Sequence, residues 1–311
     1  MVRIVSIGEI LVEIMRKEVG IPLGIPGDFV GPFPSGAPAI FADAASRLGG
    51  DVGFIGAVGD DPFGHLCYNR LKEDGVDVSK LKIVKGKTTA CAFISYAYDG
   101  SRDFIFHLKD TAADTLSPDE IDESYFEKTE IIHICGSALS VSERMRETCI
   151  KSARIVKAKG GKVFFDPNIR PQLLSVEEIR RIVAPIMEIC DVFLPSSEEA
   201  SMITGLDEPI KACEYLSQRM LVVLKQGEKG CTAFTQEGVF HSPAIRVDVV
   251  DPTGAGDCFA GAFAVGMLEG MSLPKLLQFA NIVAGLSLTK KGPMEGAPLR
   301  ELVEEFMGFV G

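Results

Sequence analysis

Short apolar runs alternate with segments of helical periodicity along most of this chain. Ile40, Ala44 and Leu48 share one face of a helix predicted over 39–48, and an apolar run follows at 51–55. The same alternation includes apolar runs at 3–7, 162–165, 191–194 and 221–225 and helical segments at 145–156, 255–268 and 273–289. Because strands joined through helices pair in parallel, this pattern predicts an α/β fold built on a mostly parallel sheet.

One stretch departs from the alternation. Residues 88–96 and 102–108 are rich in β-formers and flank Asp99-Gly100, a dipeptide typical of hairpin turns. Together with the Gly/Pro-rich segment 20–36, they predict a small β-element laid over the main sheet. The pattern alone leaves open whether this element is a lid or a peripheral hairpin.

Length and continuity favour a single unit. The chain has 311 residues and no linker, internal repeat or low-complexity tract, so we predict one domain over 1–311. The lid excursion is expected at about 12–36 and 87–110.

Composition excludes several classes of function. Lys+Arg 32 against Asp+Glu 43 gives a net charge of −11, which disfavours nucleic acid and anionic membranes as partners. No apolar run is long enough to span a bilayer, and the N-terminal residues predict a strand rather than a signal peptide. The eight cysteines form no CxxC pair, which gives no support to a zinc site. Most of them lie inside apolar runs, as Cys135 does in IIHICG, which indicates buried free thiols. We therefore expect a cytoplasmic protein.

The segment DPTGAGD at 251–257 is the most informative in the chain. Its small residues precede a helix, and the first-turn amides of a helix have no acceptor within it. Gly254, Ala255 and Gly256 would let an anion approach those amides, where the helix dipole adds positive charge. Asp257 would lie in the first turn beside them, as a base for phosphoryl transfer to an alcohol requires. A glycine-rich helix start with a dipole-stabilised Asp is an equally simple interpretation.

DPTGAGDCFAGAF resembles the C-terminal signature D-T-x-G-A-G-D of the ribokinase (pfkB-type) carbohydrate kinase family. Further segments match that family in order and spacing along nearly the whole chain: SIGEILVE, PSGAPAIFADAASRLGGDVGFIGAVGDDPFG, FDPNIR, PSSEEA and VLKQGEKG. The resemblance implies a Rossmann-like three-layer α/β/α ribokinase-like fold with a small β-sheet lid. It also implies ATP and Mg²⁺ as cofactors, phosphorylation of a sugar hydroxyl, Asp257 as the base and Gly254, Ala255 and Gly256 as an anion hole.

The resemblance also assigns the nucleotide and metal sites. Glu199 would organise Mg²⁺ through water, since Mg²⁺ keeps much of its hydration shell. Asp251 and Thr253, with the segment 292–296, would form a monovalent-cation site for K⁺. The residues expected at the nucleotide are Asp166, Asn168, Ser196, Lys225, Gly227, Gly230, Gly254, Gly256 and Asn281.

The substrate end departs from the family pattern. Glu13 stands where relatives commonly have Asp, Ile40 replaces a sugar-contacting Asn, and Leu108 replaces an Arg of the sugar-acid kinases. A polar site discriminates strongly and an apolar one weakly, so these changes argue against ribose. The residues expected at the substrate are Glu13, Gly36, Ala37, Phe106, Lys109, Arg170 and Asp257.

The branch with fructokinases and 2-keto-3-deoxygluconate kinases is the nearest. A neutral ketohexose resembling fructose or tagatose is the leading substrate, and 2-keto-3-deoxygluconate is the alternative. A sugar sensor on a kinase fold is an alternative of another class. The chain has neither the G-x-G-x-x-G of a dinucleotide-dependent oxidoreductase after its first strand nor a P-loop. Exposed lid edges predict a homodimer.

Overall fold

The computed structural model describes residues 2–169 and 174–310. The strands are β1 (Ile4–Ile7), β2 (Leu11–Arg16), β3 (Phe29–Ser35), β4 (Val52–Gly59), β5 (Asp77–Val84), β6 (Ala90–Tyr96), β7 (Arg102–His107), β8 (Ile131–Cys135), β9 (Lys162–Asp166), β10 (Val192–Phe193), β11 (Leu221–Lys225), β12 (Cys231–Thr235) and β13 (Gly238–Ser242). The α-helices are α1 (Ala37–Arg47), α2 (Pro62–Glu73), α3 (Gly136–Val141), α4 (Glu143–Ala158), α5 (Val176–Met187), α6 (Ser197–Thr204), α7 (Pro209–Leu216), α8 (Ala255–Leu268), α9 (Leu273–Ser287) and α10 (Arg300–Val310).

The larger sheet has the strand order β13-β12-β11-β10-β9-β8-β1-β4-β5. Its strands from β11 to β5 pair in parallel, and β12 and β13 add an antiparallel edge. The predicted α/β fold with a mostly parallel sheet is therefore confirmed. The chain starts at β1 in the middle, builds one side through β4 and β5, and returns to the other side at β8. Ligands of open α/β sheets bind at such a reversal of strand order, outside the carboxyl ends of the strands.

A second, smaller sheet has the order β3-β2-β6-β7. Its β2–β3 and β6–β7 pairs are antiparallel, and β2 joins β6 in parallel. The hairpin predicted at Asp99-Gly100 is confirmed, because Gly100 adopts a φ of 82° and the Ser101 amide donates to Asp99 Oδ1. The β-element expected over the main sheet therefore exists, and it is the lid of the fold.

Helix α8 is apolar on all sides because it is buried. Its residues from Asp257 to Gly266 are buried, and it packs against α1 and α9. A β-carbon at Gly261 would lie 2.8 Å from the Phe41 carbonyl oxygen, so this glycine permits the close approach of α1. The core thereby holds the middle of α8 against the segment Phe41–Ala45 of α1.

Several element boundaries differ from the sequence prediction; strand β4, for example, covers Val52–Gly59 rather than 51–55. Helix α1 begins at Ala37 rather than 39, because Pro38 occupies the first turn, where its missing N–H costs nothing. Strand β10 covers only Val192–Phe193 of the predicted 191–194.

All eight cysteines are free, and each except half-buried Cys91 is buried. Within 2–169 and 174–310, no helix combines the length and apolarity needed to cross a membrane.

Candidate active site

A cavity of about 420 Å³ lies between the carboxyl ends of the central strands and the smaller sheet. Most of the predicted site residues meet there. Those that line it are Glu13, Gly36, Ala37, Phe106, Asp166, Asn168, Ser196, Glu199, Lys225, Gly227, Thr253, Gly254, Ala255, Gly256 and Asp257. It is also lined by Glu9, Leu11, Ser35, Ile40, Arg102, Phe104, Leu108, Ser137 and Pro252.

The first turn of α8 forms the floor of the cavity. Gly254 caps the helix with a φ of 84°, a left-handed conformation that favours glycine. A β-carbon there would also lie 2.6 Å from the Pro293 carbonyl oxygen. The turn therefore needs glycine for both its backbone angle and its space, and it presents first-turn amides to the cavity.

Asp257 lies in this first turn and is 8% exposed. Asn168 donates its side-chain amide to Asp257 Oδ1 at 3.2 Å. Asn168 itself has a φ of 38°, an uncommon value outside glycine but tolerated by Asn. The loop after β9 thus orients the carboxylate from the opposite wall, which suits a base held in one position.

Lys225 brings a positive charge to the Gly254–Gly256 turn at the start of α8, which the sequence predicts as the place where an anion binds and which is called the anion-binding turn below. A β-carbon at Gly256 would lie 3.4 Å from Lys225 Nζ, and the ammonium forms a salt bridge with the buried Asp166. Burial by itself would lower the pKa of Lys225, but the negative charges of Asp166, Glu199 and Asp257 raise it above its ordinary value. Lys225 therefore stays protonated beside the place where an anion would bind.

Glu199 connects two walls of the cavity. Its Oε2 accepts from the Ser196 amide at 2.8 Å, which completes a capping box at the start of α6. Its Oε1 accepts from the Ile169 amide at 2.9 Å, which ties in the loop after β9. Within the described part of the chain, no group of three His, Cys, Asp or Glu residues could hold a metal directly. Glu199 lines the cavity, and carboxylate oxygens of this kind can accept hydrogen bonds from the water ligands that Mg²⁺ retains.

Two buried carboxylates stand at the substrate end. Glu13 Oε1 accepts from Ser35 Oγ at 2.7 Å, and Glu9 Oε1 accepts from Ser137 Oγ at 2.6 Å. Gly36 packs against the backbone of Glu9, because a β-carbon there would lie 2.6 Å from the Glu9 carbonyl oxygen. Sequence reasoning missed Glu9, although its place just after β1 is where such sheets bind ligands.

The lid covers the cavity with one face of β7. Phe104 and Phe106 stack with ring centroids 5.3 Å apart, and Arg102 Nη1 donates to Thr253 Oγ1 at 3.4 Å. Alternate residues of a strand share a face, so placing Phe106 at the substrate also predicts Arg102 there. The position of Arg102 therefore follows from the alternation along this strand.

Several predicted residues lie elsewhere. Lys109 is exposed and does not line the cavity, because Leu108 turns inward after β7 and leaves Lys109 outside. Asn281 is buried and donates to the Ser242 and Pro243 carbonyl oxygens, away from the cavity lining. Gly230 forms a tight turn beside the same segment. Arg170 lies outside the described residues.

The residues expected at the monovalent cation do come together. Asp251 is buried, and its Oδ1 accepts from the Thr253 amide and its Oδ2 from the Gly292 amide, both at 3.0 Å. Tyr96 of the lid places its hydroxyl 3.1 Å from both Asp251 Oδ1 and Thr253 Oγ1. The loop before α8, the segment after α9 and the lid therefore meet at one point.

Comparisons with known proteins agree with this geometry. The family model described as pfkB family carbohydrate kinase matches residues 1–300. The chain is 34% identical over 308 residues to Probable fructokinase-2 of Arabidopsis thaliana, which covers 95% of this chain and 92% of that protein.

Solved structures of similar fold carry relevant ligands. A protein of E. coli provisionally described as a ribokinase II, in complex with ATP and Mg²⁺, superposes with a TM-score of 0.93 at 38% identity, over 99% of this chain and 100% of that one. A fructokinase double mutant of Vibrio cholerae O395 with fructose, ADP and potassium ion bound superposes with a TM-score of 0.86 at 27% identity, over 98% of both chains. Sequence, fold and site therefore lead to one conclusion: the chain belongs to the pfkB family of carbohydrate kinases.

Proposed function

We propose that this protein is an ATP-dependent sugar kinase whose acceptor is a neutral ketohexose, with fructose the leading candidate. One observation carries the proposal. A single cavity places Asp257 beside the amide-rich start of α8 and opposite the buried Glu13, under a lid. The fructokinases among the similar proteins support the choice of sugar.

The arrangement accounts for the chemistry of transfer. Glu13 and Gly36 would hold sugar hydroxyls while Asp257 accepts the proton of the reacting one. The hydroxyl oxygen then bonds to the γ-phosphorus as the bond to the bridging oxygen of ADP breaks. The amides of the Gly254–Gly256 turn and the Lys225 ammonium would stabilise the charge on the moving phosphoryl group. Closure of the lid would exclude water, which competes as the acceptor.

The nucleotide and its metal ion would occupy the side of the cavity formed by β9 and β11. Asp166, Asn168, Ser196 and Gly227 line that side. Mg²⁺, when bound, neutralises phosphate charge. Glu199 would accept hydrogen bonds from its water ligands, consistent with a carboxylate that already holds two backbone amides.

Charge favours a neutral sugar over a sugar acid. The described cavity lining includes the carboxylates of Glu9, Glu13, Asp166, Glu199 and Asp257. Against these stand Lys225, which is paired with Asp166, and Arg102, which lies beside Thr253. Lys109, once expected to bind a substrate carboxylate, lies outside the cavity. The carboxylate of a sugar acid would therefore meet repulsion at Glu9 and Glu13.

Replacement of the base tests the proposal. We expect Asp257→Asn to lower kcat by ~10²–10⁴, the usual contribution of a positioned base, with ATP affinity nearly unchanged. The measurement is sugar-dependent ADP release with fructose, tagatose and 2-keto-3-deoxygluconate, alongside nucleotide binding by calorimetry. Wild-type turnover in the variant would refute the role of Asp257. No ADP release by the wild-type protein with any sugar would refute the kinase and favour the sensor.

We further propose K⁺ at Asp251 and Thr253, a cytoplasmic location and a homodimer formed through the lid. Support for the dimer is that β3 and β7 are the edges of the smaller sheet, and such edges offer unpaired backbone groups to a second chain.

A further inference from the structure

We infer that Arg70, on a helix that does not line the cavity, is a positioning residue for the anion-binding turn of α8. The inference rests on the proposed function for its catalytic meaning and on contacts of the described residues for its physical basis. Through the segment 292–295, a partly buried ion cluster around Arg70 is connected to the cavity floor.

The segment 292–295 forms the back wall of the anion-binding turn. The Pro293 carbonyl oxygen lies so close to Gly254 that a β-carbon there would be 2.6 Å away. Asp251 links the two stretches directly, with Oδ2 accepting from the Gly292 amide and Oδ1 from the Thr253 amide. A shift of this wall would therefore shift the turn that presents the amides.

Arg70 holds the wall from its other side. Its Nη2 donates to the Met294 carbonyl oxygen at 2.8 Å, and its Nη1 donates to Glu295 Oε1 at 3.2 Å. Glu295 Oε2 in turn accepts from the Met294 amide at 3.2 Å. The guanidinium reaches these two acceptors with two separate nitrogens in a fixed plane, whereas a lysine ammonium would have to reach both from one nitrogen.

Arg70 is itself fixed by acidic partners. Asp43 of α1 is fully buried and accepts from Arg70 at 3.3 and 3.4 Å, and Asp74 at the end of α2 forms a second salt bridge. Arg47 completes the cluster by pairing with Asp74 at 3.0 Å. Among the described residues, the side-chain hydrogen bond and ion pair of Arg47 are with Asp74 and not with 292–295, so Arg47 offers a matched control from the same cluster.

The test combines amide hydrogen exchange with kinetics in four full-length proteins: wild type, Arg70→Met, Arg70→Lys and Arg47→Met. We expect Arg70→Met to speed exchange of the amides in 251–258 and 292–296 by at least ~10-fold and to lower kcat by about 10- to 100-fold, the effect of a small misplacement of catalytic groups. Arg70→Lys should give intermediate values. Arg47→Met should lower the melting temperature while exchange in 251–258 and kcat stay within about 2-fold of wild type.

Two results would overturn the inference. One is unchanged exchange of 251–258 in both Arg70 variants, and the other is an equal increase in Arg47→Met, which would show general loosening. Arg70→Lys keeps the charge between Asp43 and Asp74, so it serves if Arg70→Met does not fold. The exchange readout needs no turnover, so it decides the role of Arg70 even if the wild-type assay with sugars refutes the proposed kinase.

Discussion

At the scale of single residues, the function of this cavity depends on where its few cations stand among many carboxylates. Lys225 is held by Asp166 next to the anion-binding turn. Arg102 reaches the same turn from the lid and contacts Thr253. The positive charge of Arg102 would therefore lie beside the phosphoryl group only while the lid is closed.

The role of Arg102 can be measured against Lys109, since both are lid cations near the same strand and only Arg102 lines the cavity. We expect Arg102→Gln to lower kcat/KM by about 10²-fold, the effect of losing one charged donor at a developing charge. Lys109→Gln removes the same charge outside the cavity and should stay within about 2-fold of wild type. Steady-state kinetics with sugar and ATP varied in turn would check this, and equal losses in both variants would contradict it.

The sequence predicted residues that belong to a local motif and missed those that a strand brings in from a distance. Asp257 and Gly254 lie within one helical turn of each other, so their order in the sequence is enough to predict that they are close together. Arg102, Phe104, Phe106 and Leu108 all line the cavity, so period-2 alternation continues past the end of β7 to Leu108 and places Lys109 on the other side. The sequence shows this alternation, but which face of the strand covers the cavity is decided by how the smaller sheet packs over the larger one.

At the scale of elements, the start of α8 is the part of the site that local chemistry specifies best. A glycine in the left-handed region, followed by small residues, ends the preceding loop and begins a helix with free first-turn amides. The prediction of this helix over 255–268 is confirmed at both ends. Its close packing under Pro293 was not predictable, because that contact joins stretches on either side of α9.

Gly254 can be tested against Gly270, which follows the same helix, has a φ of 72° and has open space around its α-carbon. Both Gly→Ala changes add left-handed strain of roughly 1–2 kcal/mol, but only Gly254→Ala also meets the Pro293 oxygen. We expect Gly254→Ala to lower kcat by at least ~10²-fold and Gly270→Ala to leave kcat unchanged. Chemical unfolding of both variants measures the backbone strain, and kcat measures the displacement of the turn at Gly254. Equal kcat values in the two variants would contradict the prediction.

At the scale of the whole molecule, the buried centre of the sheet carries a titratable group. His133 on β8 is fully buried, stacks on Phe41 with ring centroids 3.8 Å apart, and has Nδ1 3.1 Å from Ser6 Oγ. Burial, with a smaller effect of the Lys225 charge, lowers the pKa of His133 to about 3. The folded protein therefore keeps this imidazole neutral while the unfolded chain would protonate it at an ordinary pKa of 6.5.

The free energy of unfolding should therefore decrease as the pH is lowered, because the unfolded chain protonates His133 and the folded protein does not. Between pH 6.5 and about 3 the unfolded state binds one more proton, so the folded state loses about 1.4 kcal/mol per pH unit from this group. Between pH 7.5 and 5 that amounts to roughly 2 kcal/mol. We expect the difference in unfolding free energy between wild type and His133→Phe to change by this amount over that range in urea titrations. Parallel pH profiles for the two proteins would contradict the prediction.

By itself, the sequence determined the features that depend on neighbours along the chain. These are the alternation that makes a parallel sheet, the hairpin at Asp99-Gly100, the glycine-started helix α8 and the motifs that identify the family. The tertiary structure alone decided which distant side chains meet: Glu9 with Ser137, Arg102 with Thr253, and Arg70 with the wall behind Gly254. The physical reason is range, because propensity and capping act within a few residues whereas these contacts join stretches far apart in the chain through packing of the whole sheet.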